Sequence, residues 1–195
     1  MENFKPENTA IAARNSKSAE MLKKVSKASD KILDYGCGTG RNMEFIYREN
    51  GVIAHGTDIP EQLKKENKRH SKLRSLGMTI EASELIEKDF YTYALNSHVL
   101  NVIADDNIKR FVLKDIYSKL KKGGKAFIEV RTKRDVESAK TKEKYGDGWK
   151  IKCKGGYTYQ EGISKEKMVD LVTSAGFLID EHIFNNSKHI VVASK

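Results

Sequence analysis

The glycine-rich segment between positions 34 and 40 has the residue spacing most specific for chemistry. Its pattern is Asp-x-Gly-x-Gly-x-Gly, and it follows an apolar run that predicts a strand. Glycines adopt backbone angles closed to other residues and let a ligand approach the main chain. At the carboxyl end of a parallel strand, such a loop is a common ligand-binding position. A dinucleotide-binding motif would need a further glycine at position 41, where the chain has Arg, so the spacing argues against NAD. The residues expected to contact a ligand are Asp34, Gly36, Cys37, Gly38 and Gly40.

Two aspartates are candidates for nucleoside recognition. Asp58 lies 18 residues after Gly40 and ends the second predicted strand. An acidic group there can accept hydrogen bonds from both ribose hydroxyls, although a turn or cap residue before Pro60 is the alternative. Asp34 could meet an amino group of the ligand directly or through water, or it could hold the loop structurally. For the base, the sequence leaves three candidates open: Glu81, Ser83 and Asp89.

The end of the fourth predicted strand contains Asn96 and His98. Asn96 could position a substrate by hydrogen bonding, and His98 could take its proton, because unperturbed imidazole titrates near neutrality. We predict both as catalytic residues, with Asn96 also contacting the cofactor. The alternative for His98 is a histidine packed at a strand end. The other histidines lack metal-ligand spacing, so the sequence predicts no metal site.

Strand and helix signals alternate along the chain. The predicted strands are Lys31–Tyr35, Val52–Thr57, Gly77–Ile80, Phe90–Leu95 and Ala126–Val130, followed by a closing hairpin of Phe177–Phe184 and His189–Ala193. Helices are predicted to begin at Asn8 or Thr9, at Arg41 with Gly51 as terminator, at Pro60 and at Ser164. Ile108, Val112, Ile116 and Leu120 add a further helical pattern. This order predicts an α/β fold with a three-layer, Rossmann-like sheet, mostly parallel and ending in an antiparallel hairpin.

The length of 195 residues suits a single domain over residues 1–195, with an N-terminal helical segment at 1–30. Between residues 132 and 163 the pattern breaks down into charge and glycine, which predicts an inserted loop or lid. Trp149, Tyr157 and Tyr159 lie in this insertion. They could stack on a planar substrate, or they could be packing anchors.

The formal charge of +9 is unevenly distributed. From Lys119 to Lys154 there are thirteen Lys and Arg against five Asp and Glu, and from Pro60 to Arg74 six against two. These basic patches could bind the phosphate backbone of a nucleic acid, or they could be a solubilising surface. The chain has two cysteines and no apolar run long enough for a membrane span. We expect free thiols, no membrane association and a cytoplasmic location.

The chain resembles class I S-adenosylmethionine-dependent methyltransferases over nearly its whole length. The resemblance rests on the glycine loop, Asp58, the segment around Asn96 and the stretch Leu120–Phe127 before strand five. Three stretches are similar to methyltransferases associated with DNA phosphorothioation systems: Arg14–Met21, Val99–Ile103 and Thr158–Ile163. This resemblance implies a role beside nucleic-acid modification. It also implies that Arg14 and Gln160 approach the cofactor or the acceptor from flanking segments.

The leading hypothesis is an S-adenosylmethionine-dependent methyltransferase whose acceptor is a nucleic acid or a nucleotide. A small metabolite is the second choice of acceptor. The sequence lacks the Asp/Asn-Pro-Pro-aromatic motif of common DNA amino-methyltransferases and the Pro-Cys motif of cytosine C5 enzymes. Two other readings stay open: a non-catalytic cofactor-binding subunit of a modification complex, and a nicotinamide-dependent oxidoreductase.

Overall fold

Strands, and the loops that follow them, position the glycine loop, Asp58, Asn96 and His98. The computed structural model describes residues 4–9, 14–65, 67–138 and 142–195. Its strands are β1 (Ile32–Tyr35), β2 (His55–Thr57), β3 (Thr79–Glu81), β4 (Tyr91–Ser97), β5 (Leu120–Arg131), β6 (Lys142–Tyr145), β7 (Gly148–Cys153), β8 (Gly156–Gln160), β9 (Leu178–Phe184) and β10 (Lys188–Ser194). Its α-helices are α1 (Lys17–Val25), α2 (Arg41–Asn50), α3 (Pro60–Leu63), α4 (Lys68–Ser75), α5 (Asp106–Lys119), α6 (Lys133–Glu137) and α7 (Lys165–Ser174).

Within the described ranges, seven strands form one sheet in the order β3-β2-β1-β4-β5-β10-β9. Strands β1 to β5 pair in parallel, whereas β10 runs antiparallel to both β5 and β9. The predicted fold class is therefore confirmed. The order reverses between β1 and β4, and ligands of open α/β sheets bind at the carboxyl ends of the strands beside such a switch point.

Both faces of the sheet are buried, which makes the fold three layers deep. Alternate residues of β1 enter opposite cores, with Ile32 on one face and Leu33 on the other. The first core includes residues of α1, α2 and α4, such as Leu22, Ile46 and Leu73. The second includes residues of α5 and α7. Among the helices of the described ranges, none combines the length and apolar character needed to cross a bilayer.

Two helix boundaries differ from the sequence prediction. Asn8 belongs to a short 3-10 turn, and α1 begins only at Lys17, where the Ser16 side chain accepts a hydrogen bond from the Ala19 amide. The part of the predicted helix at residues 10–13 lies outside the described residues. The single helix predicted from Pro60 is divided into α3 and α4, because the Asn67 side chain caps a new helix at the His70 amide.

The segment 132–163 is not the irregular loop that its composition predicts. It contains the short helix α6 and a three-stranded antiparallel sheet of β6, β7 and β8, which we call the inserted sheet. The prediction failed because lysines separate the apolar residues. The Nζ atoms of Lys142 and Lys144 lie 4.6 and 4.9 Å from the Trp149 ring centroid, so basic residues cover an aromatic side chain. Because charged residues of this kind are typical of loops, the sequence pattern predicts a loop where the structure has strands.

Buried polar contacts anchor the inserted sheet to the main domain. The Asn101 side chain, which lies after β4, donates to the carbonyl oxygens of Arg131 and Glu161 and accepts from the Arg131 amide. The Glu161 carboxylate forms ion pairs with the fully buried Lys109 and with Lys167. The inserted sheet is thereby held beside the carboxyl ends of β4 and β5.

Candidate functional site

Three glycines in the loop between β1 and α2 adopt left-handed backbone conformations. Gly36, Gly38 and Gly40 have φ angles of 80°, 56° and 77°. A Cβ atom on Gly36 would lie 2.1 Å from Cγ2 of Val99, and one on Gly40 would lie 2.4 Å from Cδ1 of Leu73. On Gly38 it would meet no atom within 4 Å. Packing therefore requires the two outer glycines, while the middle one faces open space where a ligand can approach.

Asp58 fixes the position of this loop from the end of β2. Its carboxylate accepts the Gly38 amide at 2.7 Å and the Ile59 amide at 2.8 Å. Burial raises the pKa of Asp58, while these two amide hydrogen bonds act in the opposite direction. On the other side of the loop, buried His70 donates through Nε2 to the Gly38 carbonyl at 2.9 Å. This role of His70 was not predictable from the sequence, because it depends on the packing of α4 against the loop.

Asp34 and Asn96 present buried acceptor atoms beside the loop. Asp34 is 2% exposed, and its Oδ2 atom has no hydrogen-bond partner. Burial, together with the nearby Asp58 charge, raises the pKa of Asp34 to about 7 against the opposing effect of Arg41. The Asn96 amide group donates to the Tyr35 carbonyl at 3.0 Å, which leaves its buried Oδ1 atom without a partner. Each of these oxygen atoms can accept a hydrogen bond from a ligand.

Unpaired buried polar atoms gather at one edge of the sheet. In native proteins, nearly all such atoms have partners. Within the described residues, the unpaired atoms on β1, β2, β4 and the turn after β4 are Asp34 Oδ2, Thr57 Oγ1, Asn96 Oδ1 and His98 Nδ1. Their chemistry fits S-adenosylmethionine, which carries an ammonium group and ribose hydroxyls as donors. The residues present therefore fit the group that the glycine loop implies.

Partly buried His98 pairs with fully buried Glu129 near the ends of β4 and β5. His98 has a left-handed φ of 64°, and its backbone amide donates to the Glu129 carbonyl at 2.8 Å. Its Nε2 atom lies 3.2 Å from Glu129 Oε1. Lys188 Nζ lies 2.9 Å from the same oxygen, and the Ser18 amide donates to Oε2 at 2.7 Å. Burial alone would raise the pKa of Glu129, but these three partners outweigh it and lower the pKa to about 2.

Sequence reasoning missed Glu129. The available signal was an acidic residue inside the apolar run Ala126–Val130, where a buried charge needs partners. One of its partners, the Ser18 amide, connects it to the start of α1. The hydroxyl groups of Ser16, Ser18 and Ser97 lie 2.8 to 3.1 Å from one another and fix this helix start over the end of β4.

The three aromatic residues predicted to contact the substrate all lie in the inserted sheet. Trp149 is on one face of it, and Tyr157 and Tyr159 are on the other. Tyr159 is buried against the rings of Phe4 and Tyr145, and its hydroxyl group donates to Glu161. Tyr157 is 43% exposed, with Lys150 Nζ 4.3 Å from its ring centroid. Trp149 is partly buried, and Lys142 and Lys144 cover its ring.

Gln160, Arg14 and Cys37 are the remaining predicted site residues. Gln160 is buried, accepts from Arg131 through Oε1 and keeps an unpaired Nε2 atom. Arg14 is exposed and lines a cavity of about 420 Å³ beside the glycine loop. Cys37 is a buried free thiol whose pKa is raised by burial.

The three candidates for recognition of the adenine base lie at opposite ends of the sheet strands. Glu81 ends β3 opposite Thr57, and Ser83 lies in the turn that follows. Asp89 precedes β4 at the opposite edge of the sheet and pairs with Lys195. Within the described residues, no group of three or more His, Cys, Asp or Glu side chains could hold a metal ion.

Comparison with known families identifies the class of protein. Residues 10–182 match the model of a methyltransferase domain family. The chain belongs to this family, and the prediction of a class I methyltransferase with S-adenosylmethionine as cofactor is confirmed at that level. No curated protein matches the sequence. The narrower similarity to methyltransferases of DNA phosphorothioation systems stays a prediction.

Solved structures with the same fold come from several organisms. A protein from Pyrococcus horikoshii is 18% identical with a TM-score of 0.73, over 90% of this chain and 86% of that one. A Methanosarcina mazei S-adenosylmethionine-dependent methyltransferase is 18% identical with a TM-score of 0.68, over 90% and 96%. The 1,6-didemethyltoxoflavin-N1-methyltransferase of Burkholderia thailandensis is 18% identical with a TM-score of 0.66, over 91% and 76%. At these identities, the likeness concerns the fold.

Substitution of the glycines should separate packing from ligand binding. We expect Gly38→Ala to cost only about 1 kcal/mol of folding stability, from left-handed strain, and to weaken S-adenosylhomocysteine binding. Gly36→Ala adds a clash with Val99, so we expect a loss of about 2 to 4 kcal/mol. Denaturant unfolding and calorimetric titration measure the two effects. Unchanged ligand affinity in folded Gly38→Ala would contradict this role of the loop.

Asp34 should make the stability of the unliganded protein depend on pH. Its carboxyl group has a pKa of about 7 in the folded state and about 4 when unfolded. Between these values the folded state holds a proton that the unfolded state has lost. The Asp34 contribution therefore falls as pH rises, by about 1.4 kcal/mol per pH unit. Unfolding of wild type and Asp34→Asn at several pH values isolates this term, and a pH-independent difference between them would refute it.

Proposed function

We propose that this methyltransferase modifies a nucleic acid or a nucleotide, at an acceptor atom placed beside Asn96 and His98. The pairing of His98 with Glu129 is the observation that supports this position most directly. Because Nε2 faces the Glu129 carboxylate at 3.2 Å, the neutral imidazole holds its proton on Nε2 and keeps its Nδ1 lone pair available. That atom is buried without a partner, near the end of the strand that also carries Asn96.

The cofactor side of the site follows from the residues around the glycine loop. Asp34 and Asn96 would accept hydrogen bonds from the ammonium group, and Asp58 would accept them from the ribose hydroxyls. Gly38 would allow the ligand to lie against the main chain. When bound, S-adenosylmethionine supplies an electrophilic methyl group on a sulfonium centre.

The residues on the acceptor side would orient the nucleophile and remove its proton. His98 Nδ1 would take the proton of an attacking N–H or O–H group, and the buried Glu129 carboxylate would stabilise the imidazolium that results. Asn96 would help to align the reacting atoms, which matters most for an in-line displacement. Lys188 keeps Glu129 ionised and so maintains the acceptor for the Nε2 proton.

The inserted sheet supports an acceptor that contains bases and phosphates. On one face of the inserted sheet, exposed Tyr157 lies beside Lys150. On the other face, partly buried Trp149 lies beside Lys142 and Lys144. Single-stranded nucleic acids bind to surfaces that combine aromatic rings with positive charge. Both groups lie on the insertion that Asn101 and Glu161 hold beside β4 and β5. The structural neighbour from Burkholderia thailandensis, which acts on 1,6-didemethyltoxoflavin, supports a planar small molecule as the second candidate.

Methyl transfer from labelled S-adenosylmethionine to separate pools of DNA, RNA, protein and metabolites tests the proposal. We expect label in a nucleic-acid or nucleotide pool. We expect His98→Ala to bind S-adenosylhomocysteine normally. Its rate of methyl transfer should fall by about one hundredfold or more, because it lacks the base. His182→Ala, on β9, is the matched control and should retain full activity.

Four outcomes would change the assignment. Label confined to the metabolite pool would favour a small-molecule enzyme. Cofactor binding with no transfer to any pool would favour a non-catalytic subunit. Full activity of His98→Ala would remove His98 from the mechanism. Nucleic-acid affinity that does not fall with salt would exclude the lysine surface as the binding site.

A further inference from the structure

Four arginines converge on one groove beside the glycine loop. Arg14, Arg41, Arg48 and Arg69 line the cavity of about 420 Å³, against two acidic residues, Glu20 and Glu44. We infer that this groove binds a phosphate group of the acceptor. The inference rests on the proposed function, because it specifies how that acceptor would be held.

Both acidic residues of the groove already have cationic partners. Glu20 pairs with Lys17 at 2.7 Å, and Glu44 pairs with Lys72 and Arg69, each at 2.7 Å. Glu49 also contacts Arg48 at 3.4 Å. Lys17, Lys23 and Lys72 offset the charges of Glu20, Glu49 and Glu44, so the groove keeps a net positive charge.

The spacing of the arginines favours phosphate over a single carboxylate. Arg41 and Arg48 are seven residues apart on α2, which corresponds to about 10 Å along the helix axis. A single carboxylate cannot contact both Arg41 and Arg48. A phosphate offers more acceptor oxygens to guanidinium groups, which bind such anions in a bidentate manner. Pyrophosphate or neighbouring backbone phosphates would contact more than one arginine.

The arginines also repel one another. Burial lowers the pKa of Arg41, and the charge of Arg69 lowers it further, against the opposing effect of Asp34. Arg69 is itself fixed at the groove by Glu44 and by a 3.0 Å hydrogen bond to Thr39 of the glycine loop. A bound anion would relieve this repulsion between like charges.

The groove lies between the cofactor side and the acceptor side of the site. Arg41 interacts electrostatically with both Asp34 and Glu129. Arg14 lies two residues before Ser16, the N-cap of α1, and the Ser18 amide connects this helix to Glu129. A phosphate held by Arg41 would therefore bring the rest of its molecule toward Glu129 and its partner His98.

Calorimetric titration with pyrophosphate, with and without S-adenosylhomocysteine, tests the inference. We expect pyrophosphate to bind in both cases, and Arg48→Gln to weaken it about tenfold, the effect of losing one charge-assisted contact. S-adenosylhomocysteine affinity should stay unchanged in this variant, because Arg48 lies at the end of the groove far from the loop. Arg14→Gln gives a second test, and Lys24→Gln, an exposed lysine of α1, is the matched control.

Several results would overturn the inference. Wild type that does not bind pyrophosphate, or equal affinity in all variants, would exclude a phosphate site in the groove. Competition between pyrophosphate and S-adenosylhomocysteine would assign the groove to the cofactor's carboxylate. These outcomes are independent of the proposed function, because pyrophosphate binding is measured without methyl transfer. Failure of methyl transfer with intact pyrophosphate binding would instead count against the proposed reaction.

Discussion

The contact between the Asp58 carboxylate and the Gly38 amide connects the two strands on which the cofactor site depends. At 2.7 Å it joins the end of β2 to the middle of the loop that follows β1. The Gly36 and Cys37 amides add hydrogen bonds to the Thr57 carbonyl. The loop can follow this path only because its glycines accept positive φ angles. Asp34, Asp58 and the open face of Gly38 are all positioned by it.

A second constraint acts on the acceptor side, where a charged group is buried in the core strand β5. Isolated burial of the Glu129 carboxylate would cost several kcal/mol. Three partners from separate parts of the chain offset that cost: His98 after β4, Lys188 of β10 and the backbone of α1. The same contacts orient the imidazole and fix the helix start that leads to Arg14. Stability and site geometry are therefore supplied by the same interactions.

The sequence predicts those features that local residue types determine. The glycine loop, the helix from Arg41 with Gly51 in a left-handed terminator, the Ser164 cap and the closing hairpin are all present. The role of Glu129 was not predictable in this way, since its partners are distant in the chain. The same is true of His70, whose contact with the loop arises from tertiary packing. The inserted sheet was missed because its pairing relies on lysines covering aromatic rings, a pattern that local propensity assigns to loops.

Selective recognition of the ribose hydroxyls by Asp58 is the central claim about the cofactor site. Calorimetric titration can compare S-adenosylhomocysteine with an analogue that lacks both ribose hydroxyls, in wild type and in Asp58→Ala. We predict that wild type prefers S-adenosylhomocysteine by about thirtyfold or more, as expected for hydrogen bonds to a carboxylate. Folded Asp58→Ala should lose this preference. Equal preference in the two proteins would contradict the assignment of Asp58 to the ribose.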